Sequence, residues 1–236
     1  MSVEYDFEGS VALVTGAAGA LGGGVVKAFV DAGATVAAAD LVDPDEVDLP
    51  DGATYYQGDF TDEAAVSSTV AEVVDDHGGI DSLVNVAGTW RGGSPVDETD
   101  VDTFDFLFDV NLKTMFLASK HALPHLRESD ADGGGTIVSI SARSSLEGGE
   151  GDSVYRATKA GVRLVTESIA EENRGTVRAN AIMPSVIDTE MNREMMPDAD
   201  HDSWPTPAEL ADVILFLCSD GAGVTSGAAV PVYGEA

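Results

Sequence analysis

The chain has 236 residues, 44% of them hydrophobic, which is enough for one α/β domain with a substantial core and too apolar for a disordered chain. Its 42 acidic residues outnumber 12 basic ones and give a formal net charge of -30, which disfavours nucleic acid and anionic membranes as partners. The acid is spread along the whole chain, so we expect a halophilic surface that concentrated salt screens; the alternative is an acidic protein that binds a cationic partner.

Strand-like and helix-like segments alternate along the chain. Short apolar runs predict seven strands, at 11–15, 35–39, 54–57, 82–86, 136–140, 177–182 and 228–232. Helical patterns fall between them, at 21–32, 62–76, 101–127, 154–173 and 207–218. Strands without polar alternation are buried on both faces. We therefore predict a single domain, 1–236, of the α/β class, a Rossmann-type doubly wound parallel sheet with helices on both faces.

Targeting and metal signals are missing from the sequence. No apolar run approaches the roughly 18 residues of a membrane-spanning helix, and the first residues do not resemble a signal peptide. The single cysteine, Cys218, lies in an apolar stretch and is expected to be buried. The four histidines show no metal-ligand spacing. We expect a cytoplasmic protein without a bound metal.

A glycine motif follows the first strand. Gly16, Gly19 and Gly22, with Leu21 between the last two, permit a tight turn and a close approach of backbone to a pyrophosphate at a helix N-terminus. Asp40 ends the second strand, where an acid accepts hydrogen bonds from adenosine ribose hydroxyls and repels a 2′-phosphate. We therefore expect NAD(H) as cofactor. Asp59, after the third strand, is placed to contact the adenine, although a surface acid is nearly as good an interpretation.

Tyr155 and Lys159 are spaced to lie one turn apart on the same helix face. A nearby ammonium stabilises a phenolate, so this pair predicts a tyrosine with a lowered pKa that exchanges a proton near neutral pH. An isolated pair of this kind is usually a pair of surface residues.

Five motifs in order make the chain resemble the short-chain dehydrogenase/reductase family over nearly its whole length. They are the glycine motif, the run Asn85-Val86-Ala87-Gly88, Asn111, the pair Tyr155 and Lys159, and the segment from Pro184 through Ile187 to Thr189, in which Ser185 replaces the family's glycine.

The resemblance implies a mechanism and an assembly. Hydride would move between nicotinamide and substrate, with Tyr155 as proton donor or acceptor, Lys159 holding the nicotinamide ribose and Asn111 supporting a water-mediated proton path. Asn85, Ala87, Gly88, Pro184, Ile187 and Thr189 would line the cofactor cleft. The helices at 101–127 and 154–173 form a tetramer interface in the family, which implies a homotetramer or homodimer.

The chain departs from the family thirteen residues before Tyr155, where Ala142 replaces the serine that hydrogen-bonds the substrate oxygen. Ser141, Ser144 or Ser145 would replace that hydroxyl if the loop is shifted. The dihydropteridine reductases share the alanine. They also resemble this chain at Arg143, in the loop containing Trp90 and in the segment 187–204, which would close over the substrate and contains Met191. Asn111 is not the residue expected of that branch.

Three functions follow from these patterns. The leading one is an NAD(H)-dependent dehydrogenase or reductase of a small carbonyl or alcohol, with Trp90, Ala142, Arg143 and Met191 at the substrate. The second is reduction of a quinonoid dihydropterin, in which Trp90 would stack on the ring. The third is a catalytically weak NAD(H)-binding sensor.

Overall fold

The computed structural model describes residues 5–131 and 133–235. Residues 1–4, 132 and 236 of the predicted domain 1–236 lie outside the described residues. The strands are β1 Val11–Thr15, β2 Thr35–Asp40, β3 Ala53–Gln57, β4 Ser82–Asn85, β5 Gly135–Ile140, β6 Val177–Pro184 and β7 Ala229–Val232. The helices are α1 Ala20–Asp31, α2 Glu63–His77, α3 Val101–Phe108, α4 Thr114–Leu126, α5 Ser153–Glu172, α6 Glu190–Met195 and α7 Pro207–Cys218.

All seven strands pair in parallel, in the order β3-β2-β1-β4-β5-β6-β7. The predicted Rossmann-type α/β sheet is therefore confirmed. The order runs outward in both directions from β1 and β4, so the connections from these two strands leave toward opposite edges. A crevice forms where they separate, at the carboxyl ends of the strands, and this is where such sheets bind ligands.

The core has two layers, one on each face of the sheet. On one face, Val25 and Phe29 of α1 and Ile214 of α7 pack against alternate residues of β1 and β2. On the other face, α2, α4 and α5 cover Leu13, Leu83 and the neighbouring strand residues. Cys218 is buried in the first layer, as predicted. Uninterrupted apolar runs are needed because both faces of each central strand are covered.

The helix predicted over 101–127 is divided. A single π-helical turn, Asp109–Lys113, separates α3 from α4. One extra residue in a turn shifts the side-chain register, and such turns often occur at functional sites. Here the turn carries Asn111.

None of the helices in the described part of the chain is long and apolar enough to cross a membrane.

Candidate active site

A cavity of about 1510 Å³ opens at the carboxyl ends of β1, β4, β5 and β6. It brings together most of the residues that the sequence singles out. Those that line it are Gly16, Gly19, Leu21, Gly22, Asp40, Asp59, Ala87, Gly88, Trp90, Ala142, Arg143, Tyr155, Lys159, Pro184, Ile187, Thr189 and Met191. The side chains of Asn85 and Asn111 are buried behind it and bond to neighbouring protein groups.

The turn that contains Gly16, Gly19 and Gly22, the glycine turn, leaves no room for a side chain at Gly16 or Gly22. A Cβ atom on Gly16 would lie 2.6 Å from the backbone nitrogen of Ala87, and one on Gly22 would lie 2.0 Å from the carbonyl oxygen of Gly16. Gly16 also has a φ of +68°, which favours glycine. The N-cap residue of α1, Gly19, offers no side chain to the first N–H groups, and the first turn contains no acid. The turn therefore fits a pyrophosphate, which is held by free backbone N–H groups at a helix N-terminus.

Asp40 borders the cavity and also holds the glycine turn in place. Its Oδ2 accepts a hydrogen bond from the Ala18 N–H at 2.9 Å, and its Oδ1 accepts one from the Leu41 N–H at 2.7 Å. The same Oδ1 accepts a second, longer bond from the Val42 N–H at 3.3 Å, whereas Oδ2 keeps a lone pair to which a ribose hydroxyl can donate. Asp59 is exposed and accepts from the backbone and hydroxyl of Thr61, at 2.8 and 2.7 Å.

Lys159 lies at the base of the cavity and is 4% exposed. Its Nζ donates to the carbonyl oxygen of Ile140 at 2.9 Å, at the end of β5. Burial disfavours the ammonium and lowers the pKa of Lys159 to about 8. A Cβ on Gly88 would lie 3.0 Å from this nitrogen, so the chain after β4 passes directly over it.

The prediction of a lowered tyrosine pKa is wrong for this geometry. Burial, and then the negative charge of Asp152, raise the pKa of Tyr155 to about 12. The Lys159 Nζ lies 6.0 Å from the Tyr155 ring centroid and bonds to a carbonyl group, so the burial of the phenol outweighs its attraction. Tyr155 is therefore a neutral phenol at ordinary pH and is suited to donate a proton.

Asn111 holds the loop that follows β4. Its Oδ1 accepts from the Thr89 N–H at 2.7 Å, and its Nδ2 donates to the Thr89 carbonyl oxygen at 2.9 Å. The same Nδ2 lies 3.2 Å from the Thr158 hydroxyl on α5. The π-helical turn thus fixes the backbone next to Gly88 and Trp90, and it contacts α5, the helix that carries Lys159.

Asn85 lies inside the sheet. Its Nδ2 donates to Ser119 on α4 and Ser139 on β5, both at 3.2 Å. The resemblance implies a cofactor contact for Asn85. In the structure, its side chain joins β4 to α4 and β5.

The position of the missing serine is occupied by a buried Ala142, 7% exposed. The Ser141 hydroxyl donates to the Lys159 carbonyl oxygen at 2.8 Å, and the Ser145 hydroxyl points to the sulfur of Met183. Both are therefore directed into the fold. Ser144 lines the cavity, and its hydroxyl makes no hydrogen bond to any described residue.

Sequence reasoning missed an ion pair beside Tyr155. Arg156 Nε donates to Asp152 Oδ1 at 2.5 Å, and Arg156 Nη1 donates to the Glu147 carbonyl oxygen at 3.2 Å. The guanidinium therefore fastens the loop after Ala142 to the start of α5. The i,i+4 spacing of an acid and an arginine was a signal for this pair.

The Arg143 guanidinium lies 4.9 Å from the centre of the Tyr233 ring. In the part of the chain that the structure describes, no three or more His, Cys, Asp or Glu side chains come together as a metal site would require.

Comparison with known proteins agrees with this geometry. Residues 10–200 match the family model described as short chain dehydrogenase, so the chain belongs to the short-chain dehydrogenase/reductase family. It is 33% identical to the 3-oxoacyl-[acyl-carrier-protein] reductase of Thermotoga maritima, over 96% of this chain and 97% of that protein. It is 34% identical to the meso-2,3-butanediol dehydrogenase of Serratia marcescens, over 98% and 95%.

Among solved structures, the ligand-free aldohexose dehydrogenase of Thermoplasma acidophilum superposes with a TM-score of 0.86. The two sequences are 27% identical, and the match covers 98% of this chain and 94% of that one. The family uses NAD or NADP, and its relatives here are oxidoreductases of CH–OH groups and the corresponding carbonyls.

The depressed pKa of Lys159 predicts a stability that depends on pH. The unfolded chain keeps this proton up to about pH 10.5, and the folded chain only up to about 8, so between these values the unfolded state holds more protons. The free energy of unfolding should therefore rise across this window, by up to about 3 kcal/mol. Denaturant titrations of the wild type and Lys159→Met should differ in this slope, while exposed Lys27→Met should keep the wild-type slope. Equal slopes in the wild type and Lys159→Met would contradict the burial of a charged amine.

Proposed function

We propose that the protein is an NAD(H)-dependent dehydrogenase/reductase that interconverts a small carbonyl compound and its alcohol. The main support is one cavity with a pyrophosphate-fitting glycine turn at one end and Tyr155 beside Lys159 at the other. A protein that only binds the dinucleotide has no need of a half-buried proton donor, Tyr155, next to a buried amine. This argues against the sensor.

The residues of the chain have distinct roles in the proposed reaction. A bound nicotinamide would supply or accept the hydride. In reduction, the neutral Tyr155 phenol donates its proton to the carbonyl oxygen as negative charge develops there. The phenolate that remains lies near the Lys159 ammonium, which stabilises it. With its pKa raised to about 12, Tyr155 is protonated near neutral pH, which is the form that proton donation in reduction requires.

Asp40 supports NAD(H) over NADP(H). Its carboxylate is fixed by the Ala18 and Leu41 N–H groups at the ribose end of the cavity. A 2′-phosphate placed there would be repelled. The basic residues that line the cavity, Arg143, Arg156 and Lys159, belong to the opposite end, with the substrate.

Ser144 is the proposed replacement for the missing serine. Its neighbours Ser141 and Ser145 use their hydroxyls inside the fold, and Ala142 has none. A hydroxyl that faces the cavity can hydrogen-bond the substrate oxygen as its charge grows.

Reduction of a quinonoid dihydropterin is the second candidate. Ala142 removes the hydroxyl that polarises a ketone, and Trp90, 48% exposed at the cavity, offers a ring for stacking. A pterin accepts hydride at a conjugated C=N bond, for which that hydroxyl matters less.

Salt and assembly complete the proposal. A net charge of -30 fits a cytoplasm rich in salt, where self-repulsion is screened. Phe104, Phe116 and Leu164 expose large apolar side chains on α3, α4 and α5, the helices through which we propose that a homotetramer or homodimer assembles.

Tyr155→Phe should lower turnover by about a hundredfold to ten-thousandfold, because general acid catalysis contributes that much. NADH should still bind, since the phenol is not needed for dinucleotide binding. Steady-state rates in concentrated KCl and NADH fluorescence titrations measure the two effects, on carbonyl substrates and on quinonoid dihydropterin. Tyr5→Phe, away from the cavity, is the matched control. Full activity of the Tyr155 variant would refute the assignment.

Asp40→Asn should reduce the preference for NAD over NADP by about tenfold to a hundredfold, because it removes one repulsive charge. Asparagine keeps an acceptor for the Ala18 N–H, so the glycine turn should remain intact. The ratio of kcat/KM for the two cofactors is the measurement, and exposed Asp45→Asn on the same loop controls for net charge. An unchanged ratio would mean that Asp40 only holds the turn.

Ser144→Ala should lower kcat/KM for a carbonyl substrate by about a hundredfold, since it removes one donor to the developing oxyanion. Adding Ala142→Ser to this variant should restore much of the loss. Ser145→Ala is the control, because that hydroxyl points to Met183. Full activity of Ser144→Ala would contradict this role and would mean that Tyr155 alone polarises the substrate. Turnover of dihydropterin would then decide between the carbonyl reductase and the pterin reductase.

A further inference from the structure

The loop that carries Ser144 depends on neighbouring elements for its position. We call residues 143–149 the serine loop. It begins with a single 3₁₀ turn, Arg143–Leu146, in which the Ser145 N–H donates to the Ala142 carbonyl oxygen at 3.0 Å. A turn of this length makes few hydrogen bonds of its own. Its position is therefore set by the groups that pack against it.

Arg156 of α5 contacts the serine loop at three points. Its Nη1 donates to the Glu147 carbonyl oxygen at 3.2 Å and lies 3.5 Å from the Ser144 carbonyl oxygen. The backbone at Gly149 lies directly against the guanidinium, since a Cβ there would be 2.2 Å from the Arg156 Cζ. The arginine side chain is 22% exposed, so most of it is enclosed by these contacts.

Asp152 orients the guanidinium toward the serine loop. It is the N-cap residue of α5, a position from which aspartate ordinarily caps a helix, yet its side chain makes no capping bond. Its Oδ1 accepts from the Arg156 Nε at 2.5 Å instead. The preceding carbonyl group, that of Gly151, accepts from the Gly93 N–H at 2.7 Å. The backbone that carries Asp152 is thus joined to the loop after β4, and the carboxylate is a fixed partner for the arginine.

We propose that Arg156 is a positioning residue of the active site, which fixes the place of the Ser144 hydroxyl relative to Tyr155. Tyr155 and Arg156 are neighbours on α5, so a loop held by Arg156 is fixed to the helix that carries the proton donor. A displacement of about 1 Å at a reacting group costs about a hundredfold in rate. This assignment rests on the proposed function, in which Ser144 replaces the missing serine.

The contacts of Arg156 with the loop are distinct from its charge. An unpaired Asp152 would raise the pKa of Tyr155, so the resting phenol would stay protonated near neutral pH without the arginine. The planar guanidinium reaches Asp152 and the Glu147 carbonyl oxygen at once. A lysine ammonium supplies the charge without this fork of donors.

Arg156→Met should lower kcat/KM for carbonyl reduction by about tenfold to a hundredfold, measured at neutral pH in concentrated KCl. The Kd of NADH should not change, because the glycine turn lies at the other end of the cavity. Arg156→Lys should leave most of the loss in place, since it restores the charge and not the fork. Wild-type activity in Arg156→Lys would show that the charge alone matters and would overturn the proposal.

Two neighbouring glycines give a matched pair of variants that keep every charge. Gly149→Ala should lower the same kcat/KM, because its Cβ would displace the Arg156 guanidinium. Gly148→Ala, whose Cβ would meet no atom within 4 Å, should behave as the wild type. Arg174→Met should do so too, since it removes an exposed arginine paired with Glu171 at the far end of α5. A Gly149→Ala protein as active as Gly148→Ala would overturn the proposal.

A double-mutant cycle shows whether Arg156 acts through Ser144. In the Ser144→Ala protein, Arg156→Met should lower kcat/KM by less than about threefold, because the hydroxyl that Arg156 positions is already absent. If the two losses multiply, Arg156 acts independently of Ser144 and the proposal is wrong.

Hydrogen exchange separates the failure of this proposal from the failure of the proposed function. The backbone amides of the serine loop should exchange faster in Arg156→Met and Gly149→Ala than in the wild type and Gly148→Ala. Faster exchange in a protein that reduces no carbonyl would refute the dehydrogenase and support the hold of Arg156 on the loop. Reduction of a carbonyl with unchanged exchange would overturn the role of Arg156 and leave the dehydrogenase intact.

Discussion

The burial of one ammonium group constrains the whole active site. Lys159 is almost inaccessible to water, and the described residues give its Nζ one hydrogen bond, to the carbonyl oxygen at the end of β5. The chain after β4 must pass over the amine without a side chain, which Gly88 allows. That passage is fixed in turn by Asn111, whose amide bonds both backbone groups of Thr89. The carboxyl ends of β4 and β5 therefore converge on Lys159, and the π-helical turn holds them there.

Much of this arrangement could be predicted from residue patterns. Buried apolar strands alternating with helices predict the parallel sheet, and the spacing of Gly16, Gly19 and Gly22 predicts the position of the crevice. The exclusion at Gly22 comes from the turn itself, whereas that at Gly16 comes from the distant backbone of Ala87, which the spacing does not show. The helix over 101–127 was predicted without its interruption, since one extra residue in a turn leaves the apolar periodicity on each side intact. The burial of Asn85 and Asn111 depends on hydroxyls contributed by distant elements, which no local pattern shows.

The pKa of Tyr155 shows the limit of reasoning from spacing. A lysine one helical turn away predicts a lowered value, and the structure raises it to about 12. Spacing gives the neighbour, whereas the pKa depends on how much water and which other charges surround the phenol. Burial is the larger cause here and Asp152 the smaller. The consequence is that the resting tyrosine is protonated, which is the form that the proposed proton donation requires.

The basic residues of this acidic chain bear on the choice of substrate. Of its 12 lysines and arginines, Arg143, Arg156 and Lys159 line the large cavity, and Arg91 lines a smaller cavity that shares Trp90 and Asp152 with it. Arg91 lies over Phe106, Arg143 over Tyr233, and Arg156 is paired with Asp152. Two of these contacts are with aromatic rings of other segments, and the third fastens a loop to α5. Arginines held in this way stabilise the walls of the cleft, and the acids that line the same walls outnumber them. With seven acids against these four bases, the cavity lining keeps the negative sign of the chain's net charge of -30, so an anionic group would bind only where it reaches one of the held arginines or Lys159.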